Sequence, residues 1–169
     1  MADITVKDSV FHSVGELPEV GTKAPDFELV GNDLSPVRLA DFAGSKLIIS
    51  IFPSLDTGVC ATSVRTFNEK AAGLRGTQVL NVSMDLPFAQ SRFCGAEGID
   101  NVVVASAFRS SFGDDYGVTF ADGPLQGLFS RAVVVLDEQG RVIHTQHISP
   151  NGTEPDYEAA LDAAREQAA

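Results

Sequence analysis

One segment constrains the fold more than any other: the nearly unbroken apolar run Lys46-Leu-Ile-Ile-Ser-Ile-Phe52, closed by Pro53. A strand with apolar side chains on both faces has to be covered on both faces, which places it inside a sheet sandwiched between two layers. Proline removes a ladder donor and so ends such a strand. Ser54-Leu-Asp-Thr-Gly-Val59 then reads as a turn. Cys60, Val64, Phe67 and Ala71 follow at spacings of 4, 3 and 4, which puts them on one side of a helix. That helix is expected from Cys60 to Ala72, with Gly73 as its stop.

The rest of the chain continues the alternation. Gln78–Ser83 is a second buried strand, and Pro87 suits the first turn of a helix running to about Cys94, before Gly95. Val102–Ser106 and Ala132–Leu136 read as strands, and Val142–Ile148 pairs with the latter across the turn Asp137-Glu-Gln-Gly140. A last helix, from Glu154 or Pro155 to Gln167, carries Tyr157, Ala160, Leu161 and Ala164 on one side. Upstream, Ile4, Val6, Val10 and Phe11 alternate weakly with polar residues and predict a short hairpin closed near Lys7-Asp8. Asp26–Val30 and Val37–Leu39 are short strands around the turn-rich Gly31-Asn-Asp33. Strands alternating with helices, and a hairpin before the last helix, predict an α/β domain with a mixed sheet. A length of 169 residues, without internal repeats, suits a single domain.

Charge narrows the partners. Twelve Lys and Arg against 23 Asp and Glu leave a net charge of −11, which repels nucleic acid and anionic membranes alike. No apolar run approaches the roughly 18 residues of a spanning helix. Asp3, Lys7 and Asp8 stand where a signal peptide needs its apolar stretch, so a cytoplasmic location is expected.

There are two cysteines, Cys60 and Cys94. In a reducing compartment they are ordinary buried thiols, a redox couple, or part of a metal site. Structural zinc wants four closely spaced ligands, and two Cys and three His do not supply them. His144 and His147, three apart in a strand, point to opposite faces. No metal is expected.

In open α/β sheets chemistry gathers where a strand's carboxyl end feeds a helix, and Pro53–Cys60 is such a junction. A thiol in the first helical turn meets unpaired backbone N–H groups and the positive end of the helix dipole, and both favour thiolate. Thr57, three residues earlier, is close enough for its hydroxyl to donate to the sulfur or to orient an oxygen bound beside it. Asp56 and Gly58 permit the tight turn. Cys94, at a helix end where partial negative charge disfavours thiolate, is a poor first nucleophile. It could still attack an oxidised Cys60, because a sulfenic acid condenses with a nearby thiol. The alternative is two core cysteines that never meet. An attacking thiolate also needs a fixed cation, and arginine never loses its proton. Arg65 and Arg131 rank equal by spacing, and each also reads as a solvated surface charge.

These residues carry a resemblance. Pro53-Ser-Leu-Asp-Thr57-Gly-Val-Cys60 matches the Pro-x-x-x-Thr-x-x-Cys signature of peroxiredoxins, and Ala24-Pro-Asp-Phe27 resembles their N-terminal lead-in. Phe52–Cys60, Asp85–Glu97, Ala121–Leu125 and Arg131–Val135 together resemble the bacterial thiol peroxidase subfamily, a likeness that extends to Glu154–Glu158. The resemblance implies a thioredoxin-like fold, a central mixed β-sheet flanked by helices with an N-terminal β-hairpin extension. It implies an atypical two-cysteine peroxiredoxin in which Cys60 is peroxidatic, Cys94 resolving, and Thr57, Pro53 and Arg131 complete the active site. It thereby favours Arg131 over Arg65. Hydrogen peroxide and organic hydroperoxides are the implied substrates, thioredoxin the reductant, and a homodimer formed near the active site the assembly, with no cofactor. Some relatives carry a further cysteine where this chain has Asn81, outside both motifs.

Phe52, Leu55 and Phe93 either favour greasy substrates or belong to the core. A disulfide needs Cα atoms within about 7 Å, so thiols starting further apart require local unfolding of the helix before Gly95 and of the turn after Val59. Two rival functions use the same residues differently. A non-enzymatic redox sensor or holdase would oxidise the same cysteine couple without recycling. A cysteine hydrolase would need a histidine beside Cys60, and His12, His144 and His147 form no recognisable pairing with it.

Overall fold

A computed structural model describes residues 1–71 and 73–166. In chain order the elements are β1 (Asp3–Val6), β2 (Ser9–His12), β3 (Glu28–Gly31), β4 (Pro36–Arg38), β5 (Lys46–Ile51), α1 (Gly58–Ala71), β6 (Thr77–Ser83), α2 (Pro87–Glu97), β7 (Val103–Ser106), α3 (Phe112–Asp115), β8 (Ala132–Leu136), β9 (Val142–His147) and α4 (Tyr157–Glu166). β1 and β2 form the N-terminal hairpin, and the other strands form one seven-stranded sheet in the order β4-β3-β7-β6-β5-β8-β9. β5, β6 and β7 run parallel, and the flanking pairs are antiparallel, so the sheet is mixed.

All six residues of β5 are buried, as the sequence demands of an interior strand. Alternation sends Leu47, Ile49 and Ile51 into a cluster with Phe27, Phe112, Tyr116 and Phe129. Ile48 points the other way, into a cluster with Phe67 of α1 and Ala160, Leu161 and Ala164 of α4. One face is therefore covered by helices, the other by α3 and irregular chain. Lys46, at the start of β5, is buried too, and its ammonium donates to the Ala164 carbonyl at 2.5 Å. That satisfies a carbonyl in the last turn of α4, where helical partners run out.

Several boundaries differ from the sequence reading. α1 begins two residues before Cys60, and the Ala61 N–H donates to the Thr57 carbonyl at 3.0 Å, so Thr57 is the N-cap position. Ala72 and Gln167, the expected ends of two helices, lie outside the described residues. α2 passes through Gly95 and stops at Gly98, which adopts φ +65° and returns its N–H to the Cys94 carbonyl. A helix stop needs the left-handed conformation rather than glycine as such, and Gly95 stays helical. α4 starts at Tyr157, and α3, only four residues long, is too short to show a periodicity. Among the described residues no helix is long and apolar enough to cross a membrane.

Because β5 is buried on both faces, Ile48→Ala and Ile49→Ala are each expected to lower the unfolding free energy in urea by about 2–5 kcal/mol. A large loss for only one of the two would mean that the strand has one solvated face.

Candidate active site

Phe52 and Pro53, both buried, lead from β5 into a tight loop. The Ser54 carbonyl accepts from the Thr57 N–H at 3.2 Å and from the Thr57 hydroxyl at 3.0 Å. Thr57 is exposed, and its proton is directed at this carbonyl rather than at sulfur. The Asp56 N–H donates to Ser54 Oγ at 3.1 Å.

What anchors this loop is Asp85, in the turn between β6 and α2. One carboxylate oxygen accepts the Ser54 hydroxyl at 2.7 Å; the other accepts the Leu55 N–H at 2.8 Å and the Ser83 hydroxyl at 2.6 Å. Gln90, buried on α2, donates to Ser83 Oγ at 3.2 Å and to the Ala105 carbonyl at 3.0 Å, continuing the network to β7. Sequence reasoning gave Asp85 no role. The available signal was a carboxylate just past the carboxyl end of β6, the parallel neighbour of β5.

Cys60 is the third residue of α1 and fully buried. The N–H groups of Gly58, Val59 and Cys60 fall in the first turn, where α-helical N–H groups lack intrahelical acceptors. Its side chain belongs to an apolar cluster with Phe52, Leu55, Val64 and Val104, against which Phe93 and Cys94 also rest. Both cysteines are free thiols. Cys94 sits half-buried near the end of α2, and burial pushes its thiol pKa up, partly opposed by a hydrogen bond with Asn32.

The structure separates the two arginines that spacing ranked equal. Arg65 is 48% exposed and forks onto Glu97, with both contacts at 2.9 Å, tying α1 to α2 at the surface. Arg131 is 3% exposed. It precedes Ala132, which pairs with Ile51, so the antiparallel register sets it opposite Phe52 at the carboxyl end of β5. Its backbone N–H donates to Asn151 Oδ1 at 3.1 Å, and its Nε to the Asn151 carbonyl at 2.9 Å. One terminal nitrogen, Nη1, is buried with no partner.

Two histidines are engaged elsewhere, His12 with Asp122 at 2.7 Å and His147 with Ser130 at 2.8 Å, and His144 lies on β9 opposite Val135 with its Nε2 buried and unpartnered. A cysteine hydrolase reading gains nothing from them. Among the described residues no group of three or more His, Cys, Asp or Glu could hold a metal ion.

Comparison with known proteins agrees with this geometry. The redoxin family profile matches residues 19–161. A thiol peroxidase of Mycobacterium tuberculosis is 56% identical over 163 residues, covering 96% of this chain and 98% of the relative. The chain belongs to the redoxin family, among the thiol peroxidases. A thiol peroxidase of Corynebacterium glutamicum is 57% identical over 149 residues, covering 88% of this chain and 90% of that one. The crystal structure of a peroxiredoxin-like protein from Aquifex aeolicus superimposes with a TM-score of 0.93 at 38% identity, over 98% of this chain and 97% of that chain. The fold is therefore the thioredoxin-like fold of peroxiredoxins with its N-terminal hairpin, and the chain is a peroxiredoxin-type enzyme.

Asp85→Ala would leave the Leu55 N–H and two hydroxyls without their charged acceptor. It is expected to lower stability by about 2–4 kcal/mol in urea titration and to slow the reaction of Cys60 with peroxide. Unchanged stability would remove Asp85 from its place as the loop's anchor.

Proposed function

We propose that this thiol peroxidase reduces hydrogen peroxide and organic hydroperoxides with Cys60 as the peroxidatic residue and Cys94 as the resolving residue, recycled by thioredoxin. The observation that carries the reading is that both free thiols rest on one apolar cluster at the carboxyl end of β5. The Cys60 sulfur, as thiolate, attacks the terminal peroxide oxygen; an S–O bond forms, the O–O bond breaks, and water or an alcohol leaves with a proton. Cys94 then attacks the sulfenic acid, forming an intramolecular disulfide and releasing water. A dithiol exchange with thioredoxin restores both thiols.

Each remaining residue has a role in that first step. Preorganised donors lower the barrier where charge moves from sulfur to the leaving oxygen. Arg131 supplies a permanent cation and a buried, uncommitted Nη1, and the first turn of α1 supplies backbone N–H groups. The Thr57 hydroxyl swings from the Ser54 carbonyl to hold a peroxide oxygen, and Pro53 contributes shape and excludes water. No metal or organic cofactor enters the cycle. Phe52, Leu55 and Phe93 give an organic hydroperoxide apolar contacts. Closing the disulfide loosens the end of α2, where the Arg65–Glu97 fork and the Gly98 cap hold Cys94 in a helical turn. Phe88, 70% exposed at the start of α2, suits the homodimer that the family likeness implies. The enzyme acts in the cytoplasm in this reading.

Turnover with thioredoxin and its reductase tests the assignment. Cys60→Ser is expected to abolish peroxide consumption, and Cys94→Ser to react once and then fail to recycle through thioredoxin. Continued turnover by Cys60→Ser would overturn the assignment, and single oxidation of the native protein without recycling would make it a sensor. The raised pKa of Cys94 leaves its thiol protonated near neutrality. Disulfide formation after a peroxide pulse is therefore expected to accelerate from about pH 7 to 9 as the attacking thiolate becomes populated. A rate independent of pH over that range would show that Cys94 deprotonation does not limit the step.

A further inference from the structure

We propose that Asn151 is a positioning residue for the Arg131 guanidinium, fixing the direction of its uncommitted N–H group. The inference rests on the role given above to Arg131. A guanidinium is planar, with its Nε–H in the plane of the fork. A hydrogen bond on Nε therefore fixes that plane and leaves Nη1, on the far side of the fork, aimed away from the acceptor.

In this chain one residue supplies both restraints on Arg131. The Asn151 carbonyl accepts from Nε at 2.9 Å, and its side-chain Oδ1 accepts from the Arg131 backbone N–H at 3.1 Å. The Arg131 carbonyl is taken by the Ile148 N–H at 2.9 Å. Backbone and head group are thus clasped together, and Nη1 is the buried nitrogen left without a partner.

Asn151 is itself held. It is buried, and its N–H donates to the Thr5 carbonyl at 2.8 Å. The Thr5 N–H in turn donates to Ser149 Oγ at 3.0 Å. The N-terminal hairpin thereby braces the segment 149–151 against Arg131, which gives β1 a function in the site although it lies outside the main sheet. Asparagine fits the position because its short side chain reaches a neighbouring backbone N–H while its own carbonyl remains free for Nε.

The test is the second-order rate constant of Cys60 oxidation by hydrogen peroxide in a stopped-flow single turnover, with urea unfolding measured on the same proteins. Asn151→Ala keeps the backbone carbonyl but removes the Oδ1 that ties it to the Arg131 backbone, and is expected to slow oxidation about tenfold through misplacement of the donor. Asn151→Asp, which keeps the acceptor oxygen, should recover the rate to within about threefold. Should the alanine variant fold poorly, Asn151→Ser keeps a shorter acceptor hydroxyl and should fall between the two. In an Arg131→Met background the Asn151→Ala change should have no further effect on the rate, because residues acting through one group are not additive. Slow oxidation by Arg131→Met with a normal rate for Asn151→Ala, or equal slowing by Asn151→Ala in both backgrounds, would overturn the proposal. An unaltered rate for Arg131→Met would instead remove the role of Arg131 on which the proposal rests.

Discussion

Two thiols can exchange a bond only if the fold delivers them to one place, and here a single apolar cluster does so. Cys60 and Cys94 are 34 positions apart in sequence. β5, β6 and β7 run parallel, so the connections leaving β5 and β6 emerge at one end of the sheet, and the helices that follow pack both sulfurs against one group of side chains. α1 begins there with Cys60 in its first turn, and α2 closes nearby with Cys94 in its last. Phe52 from the end of β5 and Val104 from β7 form the floor. The two sulfurs differ in setting: Cys60 lies in the first turn of α1 among backbone N–H groups without intrahelical acceptors, and burial keeps a proton on Cys94.

The cation is harder to place than the sulfurs. Removing a guanidinium from water costs several kcal/mol unless its donors are satisfied. Arg131 is almost wholly enclosed, and its neighbours answer part of that demand: the Asn151 carbonyl accepts from Nε, while Asn151 Oδ1 and the Ile148 N–H, just past β9, hold the Arg131 backbone N–H and carbonyl. Nη1 stays unmet. In a structural ion pair that would be a defect; in the proposed peroxide site it is an opening. Arg65 shows the contrast, since a forked, half-exposed pair with Glu97 contributes little to stability and leaves no donor pointing inward.

Much of this was legible in the sequence because it is local. The apolar run of β5, the proline after it, and the 4, 3, 4 spacing from Cys60 to Ala71 are properties of consecutive residues, and each element appears within a residue or two of its expected bounds. The end of α2 was not legible, because a glycine stops a helix only where the chain turns left-handed, and neighbouring structure decides whether Gly95 or Gly98 does so. Asp85 and Asn151 were invisible for a different reason. An Asp in a turn and an Asn in a loop are ordinary turn residues, and their roles arise from pairing with partners 30 and 20 positions away. The choice between Arg65 and Arg131 likewise needed either family likeness or the register that sets Ala132 against Ile51.

The central claim, that one chain holds both halves of the redox couple, is tested most directly by peptide mapping under non-reducing conditions. Equal amounts of ordinary and heavy-isotope protein, reduced, mixed and exposed to one equivalent of hydroperoxide, should yield a cross-linked peptide joining Cys60 to Cys94, with each cross-link uniformly light or uniformly heavy. Mixed light–heavy cross-links would place the disulfide between chains. Accumulation of sulfinic acid at Cys60, with Cys94 left as a thiol, would show that the two sulfurs do not resolve one another.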